Sequence, residues 1–318
     1  MTASANDVLP YYPNRHPKDA SHIKLSYVTH FYCNQKDINS VISLLREYET
    51  YDPRLLDIME FIIVDDGSPI EYEIPKFDLN LRWLKINEDI PWNQAGARNL
   101  GMTYARSDKV LITDLDHLFY EDTLWYMANH KPLGRKFYKI YRDFVGYCAE
   151  ERVYKGPLNL FYILSGKKKT IYKGHTNTFF ISRARYMRLF GYDEEFAGHY
   201  GSEDFRFVKF QKAHGSIQGY LPIKYLCKER SSKKGDQQFV DRDLSYHSLD
   251  RDLSYNTPVD ARKKRENREF GAEYGHSRIF LNFTWKILYE NMRKNIPQPE
   301  QKRWWYYLWY VRWIFGYR

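Results

Sequence analysis

The sequence predicts an α/β fold with a mostly parallel central sheet, flanking helices and a C-terminal helical extension. Two patterns carry that prediction. From Ile23 to about residue 125, short β-rich or apolar runs alternate with amphipathic, helix-like segments. Acidic residues then follow directly on two of the apolar runs, at Asp65-Asp66 and at Asp114 and Asp116. Doubly wound sheets bind their ligands at that place, beyond the carboxyl ends of the strands.

Taken in order, Ile23 to Tyr32 alternates and is rich in β-formers, so it reads as the first strand. Asp37 can cap a helix that carries Ile38, Val41, Ile42, Leu45 and Tyr48 on one face. Glu60 to Val64 is a second strand and Leu81 to Ile86 a third. Pro91 opens a helix running through Ala105, and Val110, Leu111 and Ile112 form the central strand. Past Lys131 the pattern loosens. Lys136 to Phe144, Asn159 to Leu164 and Thr176 to Ile181 read as strands, Arg183 to Phe190 and Phe205 to Ala213 as helices. Ile279 to Lys294, ahead of Pro297 and Pro299, reads as a further helix. The expected organisation is a polar extension over 1–22, a core domain over 23–256 and a helical region over 257–318. Asp-Arg-Asp-Leu-Ser-Tyr occurs at 241–246 and again at 250–255, a spacing too short for a repeat architecture.

The 318 residues carry a net charge of +9, and 18% of them are aromatic. A basic chain calls for an anionic partner: nucleic acid, anionic lipid or a nucleoside diphosphate. No helix-turn-helix, RNA-recognition or zinc-finger signature is present, so nucleic acid is not expected. Cys33, Cys148 and Cys227 share no metal-type spacing and read as reduced cytosolic thiols. Met1 to His22 has no apolar core of the kind a secretory signal needs.

Asp114 and Asp116 are separated by one residue at the end of a strand, so both carboxylates face one side. Like charges that close repel unless a cation or a donor-rich ligand lies between them. A hard divalent ion, Mg2+ or Mn2+, satisfies such a pair. Taken alone, the same aspartates could equally form a solvated turn that caps the next helix. Glu203-Asp204 is a third acidic pair, at the start of a helix whose dipole favours negative charge there.

With these pairs in this order, the chain resembles the family 2-type glycosyltransferases of the GT-A (Rossmann-like) fold over Leu25 to Asn256. The residues that carry the resemblance are Phe-Ile-Ile-Val-Asp-Asp-Gly-Ser (61–68), Ala-Arg-Asn-Leu-Gly (97–101) and Thr-Asp-Leu-Asp-His (113–117). The stretch 191–204, ending in Gly-Ser-Glu-Asp, also resembles the acceptor-site motif of galactosyl- and N-acetylgalactosaminyltransferases. The resemblance implies that Thr29 and Asp66 hold the nucleotide base, with Arg98 and Asn99 lining the same pocket. Asp114 would bond the ribose, and Asp116 would ligate an Mn2+ or Mg2+ ion that bridges the two phosphates of the donor. Asp204, or else Glu203, would be the general base, its neighbour gripping an acceptor hydroxyl. His247 would be a further metal ligand, and Lys228, Arg230, Lys233 and Lys234 would sit on a closing loop. One base opposite the leaving nucleoside diphosphate implies inversion at the anomeric carbon. The implied donor is a UDP-linked hexose or N-acetylhexosamine. A soluble transferase acting on a free glycan and a non-catalytic glycan-binding protein remain the alternatives. His117 and Leu118 follow Asp116 where many relatives carry another acidic or polar group, which leaves the metal preference open.

From Trp304 to Phe315 only Arg312 is neither apolar nor aromatic, a run shorter than the roughly 20 residues that cross a bilayer. Its Trp and Tyr rings suit the headgroup layer, and Lys302, Arg303, Arg312 and Arg318 suit an anionic surface. The tail 300–318 is thus expected to lie on the inner face of a cytoplasmic membrane as an interfacial helix. That location implies a lipid-linked acceptor in cell-surface polysaccharide or lipopolysaccharide synthesis. The alternative is a helix packed on the protein itself.

Overall fold

The computed structural model describes residues 2–3, 22–34, 36–144, 174–227, 251–271, 275–277 and 279–293. Elements in chain order are β1 (Leu25–Phe31), α1 (Asn39–Tyr48), α2 (Pro53–Leu56), β2 (Met59–Asp65), β3 (Leu81–Ile86), α3 (Gln94–Tyr104) and β4 (Lys109–Ile112). After them come β5 (His117–Phe119), α4 (Glu121–Ala128), β6 (Lys136–Phe144), β7 (Phe179–Ser182), α5 (Arg183–Arg188), α6 (Glu203–Ala213), β8 (Ile217–Cys227), α7 (Asn256–Phe270) and β9 (Trp285–Asn291). They form one α/β sheet in the order β9-β3-β2-β1-β4-β7-β6-β8-β5, and Thr2–Ala3 pairs outside β9. The central four strands, β3-β2-β1-β4, are parallel; β9 joins β3 antiparallel on one side, and on the other β4-β7, β7-β6 and β8-β5 are antiparallel while β6-β8 is parallel.

Alternation along the central strands sends apolar side chains to two cores. Tyr27, Phe31, Phe61 and Ile63 pack with Val41, Leu45 and Tyr48 of α1. Val28, Ile62, Val64, Val110 and Ile112 pack with Ala97, Leu100 and Met102 of α3. Helix α3 lies so close to β1 that a Cβ on Gly101 would meet Val28 Cγ1 at 2.4 Å, so the position accepts only glycine. The Asp37 carboxylate accepts a hydrogen bond from the Asn39 amide at 3.0 Å, at the start of α1.

Ile279 to Lys294 is not a helix. Its centre is β9, which pairs antiparallel with β3 from Trp285↔Ile86 to Asn291↔Leu81. The register shifts between Ile287 and Tyr289, leaving Ile287 and Leu288 as consecutive exposed residues. That bulge erases the period-2 signal which would have marked a strand. Pairing satisfies the open edge of β3, an interaction no local pattern reveals. Trp285 is fully buried, its indole N–H donates to the Tyr104 hydroxyl at 2.9 Å, and Glu290 bridges to Arg82 and Arg106. The short helices α2 and α4, the strands β5 and β8 and the long helix α7 were not legible in the sequence either. The expected strand 159–164, the loop 228–235, His247 and the tail 300–318 all lie outside the described residues.

Trp285→Ala should cost about 3–5 kcal/mol of stability in urea unfolding, the range for emptying a buried aromatic site. A loss below about 1 kcal/mol would mean that β9 contributes little to the sheet.

Candidate active site

Strands β1, β2 and β4 run parallel and end side by side, delivering Asp65-Asp66 and Thr113 to Asp116 to one rim. The first acidic pair is divided by what each member touches. Asp65 belongs to the fold: it accepts from the Ser68 amide at 2.8 Å and from the Tyr72 hydroxyl, and it pairs with the Lys85 ammonium at 3.3 Å. Asp66 is also buried, but only its Oδ1 is occupied, by the Asn93 amide at 3.1 Å. Its Oδ2 has no hydrogen-bond partner among the described residues. Burial, then the charge of Asp65, push its pKa well above the usual carboxylate range. An unanswered buried acceptor is costly, and a ligand N–H would relieve it. Gly67 follows at φ +75°, where a Cβ would meet the Glu88 carbonyl oxygen at 2.3 Å.

Arg98, buried on α3, donates to Asp114 Oδ1 at 2.8 Å and to Gln94 Oε1 at 3.1 Å, with its guanidinium over the Tyr192 ring. The other Asp114 oxygen lies 3.1 Å from His175 Nδ1. Burial alone would raise the pKa of Asp114, but His175 and Arg98 outweigh it and hold the carboxyl well below the usual range. Thr29, fully buried on β1, alternates with Val28 and therefore shares the face of Tyr27 and Phe31; its hydroxyl has no partner among the described residues. Its neighbour His30 is the residue that senses Arg98 and Asp114. Burial first, then the Arg98 charge, lower His30 to about 3, so it is neutral. Asn99 leaves no capacity for a ligand. Its amide nitrogen donates to the Tyr192 carbonyl (2.9 Å) and Glu194 (2.7 Å), and its oxygen accepts from the Tyr186 hydroxyl (2.6 Å) and the Tyr192 amide (2.9 Å). Sequence placed Asn99 beside Arg98 in the donor pocket, and helical geometry turns it to the 191–194 turn instead.

Asp116 is the more open of the β4 aspartates, its side chain 43% exposed, with Oδ1 3.6 Å from His117 Nε2. Two overlapping sets of donor atoms here could hold an ion: Asp114, His117 and His175, and Asp116, His117 and Cys227. Within each set all donor atoms lie within 4.8 Å of one another. Carboxylate, imidazole and thiol are the donors that divalent transition metals take, so this cluster fits such an ion. His175 lies at no recognisable spacing from the aspartates and was not a sequence candidate, while His117, next to Asp116, was noted there only as a departure from the relatives' pattern.

Glu203 and Asp204 open α6, reached through a turn in which Gly198 and Gly201 have positive φ and Ser202 sits at φ +78°. A serine there is strained, and such strain persists only where surroundings enforce it. They do: buried Asn256 of α7 donates to the Phe196, His199 and Gly201 carbonyls at 3.1, 2.8 and 2.9 Å. Loss of water around Glu203, then the adjacent Asp204 charge, push Glu203 up to about 7, with Arg98 opposing. Glu203 also feels Asp114, so the third acidic pair faces the strand-end cluster. Asp204 Oδ1 accepts from the Phe205 amide at 2.6 Å.

The model of the family described as "Glycosyl transferase family 2" matches residues 29–196. The chain belongs to that family. A comparison with curated proteins finds no match. Among solved structures the chain is similar to S. aureus TarS 1-349 (17% identity, 64% of this chain and 60% of that one, TM-score 0.45). It is similar to GalNAc-T7 crystallised with UDP, GalNAc and Mn2+ (13% identity, 78% and 52%, TM-score 0.48). It is also similar to the mannosyltransferase PcManGT from Pyrobaculum calidifontis in complex with GDP-Man and Mn2+ (18% identity, 73% and 64%, TM-score 0.42). The chain thus spans less than two thirds of the length of each of these neighbours.

The elevated pKa of Glu203 has a consequence for stability. Its folded value, about 7, lies above the ordinary glutamate value of 4.5, so its contribution is fully present below that unfolded value and is lost as pH rises through 7. Glu203→Gln should therefore raise stability at pH 8, by about 2 kcal/mol, and leave it unchanged at pH 4. Thermal melts at the two pH values check this; equal shifts at both would show that the carboxyl is solvated.

Proposed function

We propose that the protein is a metal-dependent inverting glycosyltransferase that moves a hexose or N-acetylhexosamine from a UDP-linked donor to a glycan hydroxyl. The carrying observation is the convergence of Arg98, Asp114 and Glu203 on one rim, with an unanswered carboxylate oxygen of Asp66 beside it. Asp66 takes an N–H of the base, and Asp114, held ionised by Arg98 and His175, accepts from ribose hydroxyls. Asp116, helped by the neighbouring histidines, would hold Mn2+ or Mg2+. When bound, such an ion supplies Lewis-acid stabilisation of the charge that builds on the departing diphosphate.

On the opposite side, Asp204 takes the proton of the attacking acceptor hydroxyl. Glu203, pushed up to about 7, is part carboxylic acid at neutral pH, so it can donate as well as accept when it grips the sugar. A single base facing the leaving group gives inversion. The resemblance of 191–204 to acceptor-site motifs supports placing the acceptor here.

Release of nucleotide from UDP-, GDP- and dTDP-sugars in the presence of Mn2+ is the direct test. Asp116→Asn should abolish release while the protein stays folded, as should EDTA; undiminished release in EDTA would sink the metal reading. Asp204→Asn should slow turnover roughly 10²-fold, the range of a general base, with donor affinity little changed. Normal turnover in Asp204→Asn together with loss in Glu203→Gln would exchange the two roles.

The acceptor is lipid-linked in this reading, and the enzyme works on the inner face of the cytoplasmic membrane. Support comes from the aromatic, basic sequence of 300–318, which lies outside the described residues. No described helix is long and apolar enough to cross a membrane. Deleting 300–318 should abolish binding to anionic liposomes while release of nucleotide with a short soluble acceptor survives. Full-length protein that ignores anionic liposomes at low salt would favour a tail packed on the protein.

A further inference from the structure

Cys227 ends β8 directly opposite His117, the first residue of β5, in an antiparallel pair. Residues in that relation project from the same face of a sheet. Both are buried, at 0% and 1% exposure. The hydroxyls of Thr113 and Thr178 lie 2.9 and 3.0 Å from His117 Nδ1, and this orients the ring so that Nε2 faces Asp116. Second-shell bonds of this kind decide which imidazole nitrogen is offered to a metal. The Tyr225 ring, 4.7 Å from the imidazole, packs against it.

We propose that His117 Nε2 and Cys227 Sγ join Asp116 as ligands of the catalytic ion, giving this chain a carboxylate–imidazole–thiolate site. The inference rests on reading Asp116 as the carboxylate that holds the ion. A tetrahedral ion bonded at about 2.0–2.3 Å keeps its donors about 3.5 Å apart. Asp116 and His117 stand at 3.6 Å, and the thiol lies within 4.8 Å of both. Three protein donors leave a fourth position for a phosphate oxygen of the donor, as a catalytic rather than a structural site requires. Asp114 contributes less, because its two oxygens are engaged by Arg98 and His175.

The ligand set determines the metal. An all-oxygen cradle suits Mg2+, whereas imidazole and thiolate shift the preference away from it, with Zn2+ or Co2+ bound more tightly than the Mn2+ that the transfer reading uses. Binding converts the Cys227 thiol to thiolate and releases its proton to solvent. Sequence spacing hides the site, since 110 residues separate His117 from Cys227 and only strand pairing joins them.

The test is anaerobic titration of the full-length protein with Co2+ alone, followed by absorbance. A near-ultraviolet thiolate-to-cobalt charge-transfer band is expected, lost in Cys227→Ser and kept in Cys33→Ser and Cys148→Ser. Zn2+ affinity, measured by competition, should fall at least about tenfold in Cys227→Ser, since even outer-shell changes cost that much. His117→Gln, with folding checked by circular dichroism, should weaken the same band. A wild-type complex without the band, or a band that survives in Cys227→Ser, overturns the proposal. Either result leaves the glycosyl-transfer reading intact if Asp116→Asn still abolishes Mn2+-dependent nucleotide release. Loss of the transfer reading would instead appear as an intact band with no release from any donor.

Discussion

A fully saturated buried amide, Asn99, holds the two halves of the active site together. It fixes Tyr192 and Glu194 to α3, the helix that also carries Arg98. Glu194 in turn accepts from the Leu281 and Asn282 amides, binding the approach to β9. Next to it, Asp193 is buried against the Lys263 ammonium at 2.7 Å and the Ser277 amide at 3.1 Å, which docks α7. From α7, Asn256 reaches back to the turn that precedes Glu203. Asn99, Asp193, Glu194, Lys263 and Asn256 are buried and would be costly to leave unpaired, so displacing one of them strains the rest. The segment 191–204 is therefore braced between the strand-end rim and α6, although its sequence reads as a glycine-rich turn.

The rim itself is a concentration of charge with little water. Asp65 is neutralised by Lys85 and a tyrosine hydroxyl, and Asp114 by Arg98 and His175. Burial raises Asp65 as well as Asp66 and Glu203, but only Asp65 has a lysine ammonium beside it, while Asp66 Oδ2 is left without a partner among the described residues. In a low-dielectric cleft such imbalance marks the groups that a ligand is expected to complete. The division separates two adjacent aspartates, one folding the β2 turn and the other left with an unanswered carboxylate oxygen.

Local pattern made much of the fold legible. The third strand, Leu81 to Ile86, and the limits of β6 were readable to the residue, because alternation and flanking turn residues agree there. Arg98, Asp114, Asp116, Glu203 and Asp204 could be placed near one another from sequence because strand ends and helix starts are fixed positions in a wound sheet. Residues whose role depends on a side-chain direction were less accessible. Asn99 sits one position from Arg98 yet points to the 191–194 turn, and Thr29 sits one position from His30 yet lies on the other face of β1.

The sequence by itself determined the α/β class, the four-strand parallel centre and the placing of three acidic pairs at element ends, since these follow from periods of 2 and 3.6 and from short-range turn chemistry. Only the tertiary structure decided that 285–291 is a strand, because an open edge at β3 outbids local helix preference and a bulge hides the alternation. It alone brought His117, His175 and Cys227 to Asp114 and Asp116, through pairings between strands distant in the chain. Such contacts carry no signature in local sequence, because their energy is gained only when the chain has closed on itself.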